Sequence, residues 1–276
     1  MASCDEGGFT FIWDVATGKA LHRLRAIYNC LGQQPCACNN VAFSPDGKVV
    51  ASVGDDWRAT IWDADSEQHR IFEGHNGAVG GVSFSPDGQV LATSSADETV
   101  RLWRVASGEK CPKLHGHESD VFFVKFSPNG EYLASGGLDT KVKLWKTVLG
   151  NECKETTEWS TLIGHTNMVS AGMFSPDSRL LATASADRTV RIWDVKSGRE
   201  ERSFLHSNEV NGVVFSPDAK HLHLVTASED TVPHLYILDT AELMGRARQR
   251  ITQVGRVMSS SECVKYLHQD SCPALP

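Results

Sequence analysis

Over short stretches of the chain, apolar and polar positions alternate with a period of two, and clusters of turn-forming residues cut the stretches apart. Between Gly74 and His115, Val82 and Phe84 are followed by Val90 and Ala92 and then by Val100 and Leu102, with Ser-Pro-Asp-Gly and Ala-Asp-Glu-Thr between them. Period two puts every second side chain on one face of an extended strand, and Pro, Gly, Asp and Ser supply the reversals. No stretch of helical period is long enough to compete. The pattern predicts an antiparallel meander of short strands.

The meander repeats. Phe-Ser-Pro followed by Asp or Asn recurs at Phe43, Phe84, Phe126, Phe174 and Phe215, in steps of 41, 42, 48 and 41 residues. A tryptophan stands 19 residues after each of the first four, at Trp62, Trp103, Trp145 and Trp193. Four short strands in a unit of roughly 42 residues is what one propeller blade requires. Three further residue types keep the same register: His at 75, 117, 165 and 206, Ser or Thr at 52, 93, 135 and 183, and Asp at 56, 97, 139 and 187.

With Gly74-His75, Gly116-His117 and Gly164-His165, and with Trp13-Asp14, Trp62-Asp63 and Trp193-Asp194, the chain resembles the WD-repeat (WD40) propeller family over nearly its whole length. The resemblance implies buried hydrogen-bonded tetrads of His75, Thr93, Asp97 and Trp103, of His117, Ser135, Asp139 and Trp145, and of His165, Thr183, Asp187 and Trp193. The chemistry agrees, because a carboxylate taken out of water needs donors, and an imidazole, a hydroxyl and an indole N–H can chain together behind it. The same residue types build hydrolase triads. A catalytic constellation is needed once, however, and this one recurs in three units, which favours a structural role and no enzyme activity.

The fold class expected is all-β, a propeller of four-stranded antiparallel blades, about six in number. Complete units run over 34–73, 74–115, 116–163, 164–205 and 206–240, the last degenerate, with Tyr236 at the Trp position and Pro233 entering the third strand. The N-terminus starts in mid-blade: Ala2-Ser3 precedes Trp13 as Ala92-Thr93 precedes Trp103, leaving the first blade incomplete. Residues 1–276 are read as a single propeller domain, with 241–276 an irregular tail that carries a closing strand near 262–268, where Cys263-Val264-Lys265-Tyr266 echoes Phe123-Val124-Lys125-Phe126. Such a strand would complete the first blade and leave no free sheet edge. Seven blades, with further sequence upstream, is the alternative. Insertions near Thr147–Trp159 and Tyr28–Gln34 are expected in loops.

Composition narrows the function classes. The 276 residues are 41% hydrophobic and 22% charged, as in an ordinary folded chain, and 27 Lys and Arg against 34 Asp and Glu give a net charge of −7. That balance argues against a nucleic-acid or membrane-surface binder and for partners with basic segments. Neither a membrane span nor a leader is recognised, so cytoplasm or nucleus is expected, and with it free thiols for the eight cysteines. Cys30, Cys36 and Cys38 near His22 lack a Cys-x2-Cys pair, and His221 with His223 lacks a third ligand, so no metal and no cofactor are expected.

The expected function is a non-enzymatic scaffold or adaptor that binds other proteins. By resemblance, contacts lie on loops between second and third strands and after each Gly-His, at Asp55, Trp57, Asn76, Glu118, Leu138, Met168 and Glu229. A second reading is a substrate receptor of a cullin-RING ubiquitin ligase. It rests on the likeness of Trp193-Asp194-Val195-Lys196 to a Trp-Asp-x-Arg box, in which Lys replaces the guanidinium fork.

Overall fold

Each hydrophobic stretch folds as a strand of three to six residues, and each strand pairs with its neighbour in sequence, as short connections favour. The computed structural model describes residues 1–25, 36–66, 68–147, 156–218, 222–230 and 232–239. These form six antiparallel sheets in strict chain order. The first holds β1 (Ala2–Cys4), β2 (Phe9–Trp13) and β3 (Ala20–Arg25), and the second β4 (Cys38–Phe43), β5 (Val49–Gly54), β6 (Arg58–Asp63) and β7 (His69–Glu73). The third holds β8 (Val79–Phe84), β9 (Val90–Ser95) and β10 (Val100–Arg104). The fourth holds β11 (Val121–Phe126), β12 (Tyr132–Gly137), β13 (Val142–Lys146) and β14 (Thr157–Leu162). β15 (Val169–Phe174), β16 (Leu180–Ser185), β17 (Thr189–Asp194) and β18 (Glu200–Leu205) make the fifth, and β19 (Val210–Phe215), β20 (His223–Ser228) and β21 (His234–Ile237) the sixth. The fold is all-β, with each sheet a propeller blade.

The core lies between blades. Ile12 and Leu24 of the first sheet cluster with Val50 and Trp62 of the second, and Ala59 and Phe72 of the second with Val82 and Leu91 of the third. The same arrangement joins the third to the fourth through Leu102 and Val124, the fourth to the fifth through Leu144 and Leu181, and the fifth to the sixth through Ile192 and Val213. A blade by itself would leave its apolar faces in water, so stacking supplies the core that no blade contains. Phe123, 4% exposed, is wedged against Gly136 of its own blade and Gly172 of the next, and a Cβ at either glycine would overlap its ring.

The Ser-Pro-Asp turns are held by their serines. Ser44, Ser85, Ser127 and Ser175 are buried. The hydroxyl of Ser175 donates to Asp177 Oδ1 at 2.6 Å and accepts the N–H of Leu180 at 2.9 Å, and Ser44, Ser85 and Ser127 repeat the arrangement. The turn then needs positive φ, which Gly47, Gly88 and Gly130 adopt at 71°, 70° and 73°. Ser178 takes φ 62° at the same place. It also accepts the N–H of Asn129 from the preceding blade at 3.0 Å, a bond that offsets the left-handed strain.

Several expectations change. Cys4 and Cys38 form a disulfide, and Cys36 and Cys111 are also disulfide-bonded, so the thiols of these four are not free. The cause is geometric: β1 lies beside β4, and this brings the Cα atoms of Cys4 and Cys38 to 5.7 Å, within bridging range. Among the described residues the third blade keeps only three strands, its fourth reduced to the bridges Val100↔Leu114 and Trp103↔Lys110. Pro112 stands between them and has no N–H for the ladder. For the same reason β21 starts at His234, just past Pro233. Strand β2 ends at Trp13 because Asp14 Oδ1 takes the N–H groups of Ala16 and Thr17. The closing strand near 262–268, His221 and most of both insertions lie outside the described residues.

Candidate functional site

Three blades carry the polar chain in full. In the third, Trp103 Nε1–H donates to Thr93 Oγ1 at 2.9 Å, Thr93 Oγ1 lies 2.8 Å from His75 Nε2, and His75 Nδ1 lies 2.9 Å from Asp97 Oδ2. A carboxylate only accepts, so Nδ1–H points to Asp97, and a neutral imidazole then accepts the hydroxyl hydrogen at Nε2 while the hydroxyl oxygen accepts the indole N–H. The fourth blade repeats it, with Trp145 to Ser135 at 2.9 Å and His117 2.8 Å from both Ser135 and Asp139. In the fifth, Trp193 to Thr183 and Thr183 to His165 are 2.8 Å, and His165 to Asp187 is 2.9 Å.

Strand register puts these groups together. β9 pairs with β10 so that Leu91 faces Trp103, which lays the indole across Thr93, two residues further along β9. The imidazole enters from the loop before β8, and the aspartate from the turn after β9. Burial alone would raise the Asp97 pKa, but hydrogen bonds from His75, Thr99 and the N–H of Asn76 outweigh it and hold the carboxyl below its usual range. Burial likewise opposes the shift of Asp187, which Thr189, the Thr166 N–H and His165 bring down to about 2. Burial pushes the His75 and His165 pKa values down, against the pull of their aspartates.

Three blades carry the chain in part, the first through Trp13 Nε1–H, which donates to Ser3 Oγ at 2.8 Å. In the second, Trp62 donates to Ser52 at 2.9 Å, but Gln34 stands in the register where the others have histidine and lies outside the described residues. Burial pushes the Asp56 pKa up, only partly countered by the N–H of Arg58. In the sixth, Thr226 Oγ1 is 3.5 Å from His206 Nε2, Tyr236 Oη is 3.3 Å from the same nitrogen, and Asp230 has turned to His234 Nε2 at 3.0 Å.

The candidate contact residues gather at the same end of their blades, because the loop after each Gly-His is bonded to the turn between second and third strands. Leu138 N–H donates to Asp120 O at 2.8 Å, Ala186 N–H to Met168 O at 3.0 Å, and Glu229 N–H to Glu209 O at 2.9 Å. Asp55 bonds Ala37 O and accepts from Asn39, Asn76 N–H reaches Asp97, and Glu118 N–H reaches Asp139. Asp55, Asn76, Glu118 and Glu229 are exposed, as are Trp57 at 38% and Leu138 at 46%. Met168 is half-buried. Glu118 is already paired with Lys141 at 2.8 Å.

Sequence reasoning missed Glu98, Thr140 and Arg188. With Trp57 they hold φ values of 66°, 64°, 70° and 65° at the same turn position, each directly after the tetrad-register aspartate. That spacing was the available signal: the position carries four different residue types in four blades, and Trp57, Glu98 and Arg188 are exposed. Asp194 of the Trp-Asp-Val-Lys segment accepts the N–H and O–H of Ser197 at 2.8 and 2.6 Å, which gives its carboxylate a turn-forming role.

The repeat, its register and the recurring polar chain coincide with a family pattern. The model of the WD domain, G-beta repeat, matches residues 27–63, 66–104, 108–146, 157–194 and 198–236. The chain belongs to the WD-repeat family. No curated protein matches it as a relative. WD-repeat domains are protein-interaction modules, and among the described residues no helix is long and apolar enough to cross a membrane.

Proposed function

We propose that this WD-repeat protein is a non-enzymatic scaffold that captures protein segments, basic ones foremost, on the blade end carrying Asp55, Trp57, Asn76, Glu118, Leu138, Met168 and Glu229. The observation that carries the reading is the set of turns just described. A fixed left-handed residue presents a different side chain in each of four blades, over a framework tied down by backbone and tetrad bonds. A surface held in place before binding loses little entropy when a partner docks. The net charge of −7 favours positive partners.

Against catalysis stands the placement of the hydroxyls. Thr93, Ser135 and Thr183 are 0% exposed, and each oxygen is engaged by an indole and an imidazole, so none is free to attack a substrate. A single propeller domain over residues 1–276, working in cytoplasm or nucleus, is part of the same proposal. The ligase-receptor reading has no observation in its favour beyond the Trp193-Asp194 pair.

The test is charge reversal. Asp55→Lys combined with Glu229→Lys should weaken binding of a fluorescent Lys/Arg-rich peptide about tenfold at low salt and flatten its salt dependence. Equal affinity and equal salt slope in the double variant would overturn the assignment.

A further inference from the structure

The sixth blade departs from the third, fourth and fifth at three positions at once, and together the departures assemble metal-binding groups. Register shows the first. The strand residue facing the tetrad hydroxyl is Arg101 opposite Thr93, Lys143 opposite Ser135 and Arg191 opposite Thr183, but His234 opposite Thr226. Arg and Lys offer no lone pair at neutral pH, whereas an imidazole does. The second is Tyr236 at the tryptophan position, whose hydroxyl reaches the imidazole itself at 3.3 Å. The third is Asp230, which leaves the entry histidine for His234 and Ser207.

As a result His206 keeps an unused nitrogen. Its residue is 5% exposed, and its Nδ1, the atom that binds aspartate in three other blades, is buried without a hydrogen-bond partner among the described residues. One ligand atom from each of His206, Asp230 and His234 lies within 4.8 Å of the others. With the proton on Nε2, toward Tyr236 and Thr226, the Nδ1 lone pair is left for a metal, and a hydrogen bond from the other ring nitrogen is what orients a ligating histidine.

We propose that His206 Nδ1, Asp230 and His234 form a binding site for a divalent transition-metal ion, zinc foremost. Two imidazoles and one carboxylate make a three-ligand set, with water completing the tetrahedron. Bonds of about 2.0–2.2 Å require ligand atoms roughly 3.4 Å apart. The site therefore contracts on loading, through His234 and Asp230, whose side chains are 38% and 13% exposed and open the way in from solvent. The alternative thiolate site at Cys30, Cys36 and Cys38 is disfavoured because Cys36 and Cys38 are disulfide-bonded.

The experiment uses the full chain, stripped of metal and kept oxidised, with zinc chloride and then cobalt chloride as probes. Zinc should bind with about one equivalent and raise the melting temperature. Cobalt should give visible d–d absorption without the near-ultraviolet sulfur-to-metal band of a thiolate site. His234→Ala should weaken zinc binding at least about tenfold while melting cooperatively without metal, and His22→Ala should leave binding intact. Asp230→Asn, which preserves shape, stands in if His234→Ala does not fold. No saturable zinc binding, unchanged affinity in the His234 or Asp230 variant, or a sulfur-to-cobalt band would overturn the proposal.

Discussion

Replacing Thr183 by valine removes one hydroxyl, keeps the shape and opens no cavity. Two buried groups lose their partner together: the Trp193 N–H and His165 Nε2, both 2.8 Å from Oγ1. The residues concerned are 0%, 2% and 5% exposed, so water cannot take the place of the hydroxyl. Each of the two stranded groups costs about 1–3 kcal/mol, and the added methyl returns about 0.8 kcal/mol, a net loss of about 1–5 kcal/mol. In a domain of this size that lowers the melting temperature by roughly 2–20 °C. Thr183→Ser keeps the hydroxyl and loses only the methyl, at about 1 kcal/mol. The informative quantity is the order of the two variants in urea denaturation. Strand propensity and burial both favour valine over serine, so a serine variant more stable than the valine variant has no source but the hydroxyl. Valine equal to or above serine would refute the reasoning.

Acid should destabilise the fold in two stages. Burial holds His75 and His165 below their ordinary 6.5, so the unfolded chain binds protons the folded chain refuses, and stability falls as the pH drops below about 6.5. Between 3.8 and about 2 the depressed Asp187 adds a second loss, with Asp97 and Asp139 in the same direction, while Asp56, raised by burial, works the other way. A urea midpoint flat from neutral pH to about 5 would contradict the first stage. Gly172→Ala should cost about 1–3 kcal/mol by driving a methyl into Phe123, and pairing it with Phe123→Leu should recover part of that loss in the same melting assay. Joint Cys4→Ser and Cys38→Ser substitution should lower stability by about 3–4 kcal/mol, from the loop of 34 residues that the bridge closes. An oxidised wild type that melts with the double variant would show that the bridge contributes nothing.

The blade plan was legible because alternation, turn chemistry and the Phe-to-Trp spacing all repeat, and one register error would have disturbed several of them together. The His, Ser or Thr, Asp and Trp positions were legible for the same reason: four residue types in fixed phase bear on one place in the blade. The Cys4–Cys38 bridge was not, since Cys4 and Cys38 belong to different blades and their approach depends on how sheets stack, which no local pattern encodes. Nor was the company His206 keeps. In one dimension His234 is an unremarkable strand residue, and only pairing with Thr226 aligns it with Arg101, Lys143 and Arg191 and puts it beside Asp230.

Placing the apolar clusters in the seams has a further effect on how the molecule comes apart. Among the described residues, losing the sixth blade exposes the seam it shares with the fifth, through Ile192 and Val213, and leaves the seam of Leu144 with Leu181 closed. Opening can therefore run inward one blade at a time, like a zipper, rather than all at once. Amide exchange should show a staircase of protection climbing from β19–β21 toward β11–β14, so a partner gripping the sixth blade would steady the fifth without touching it.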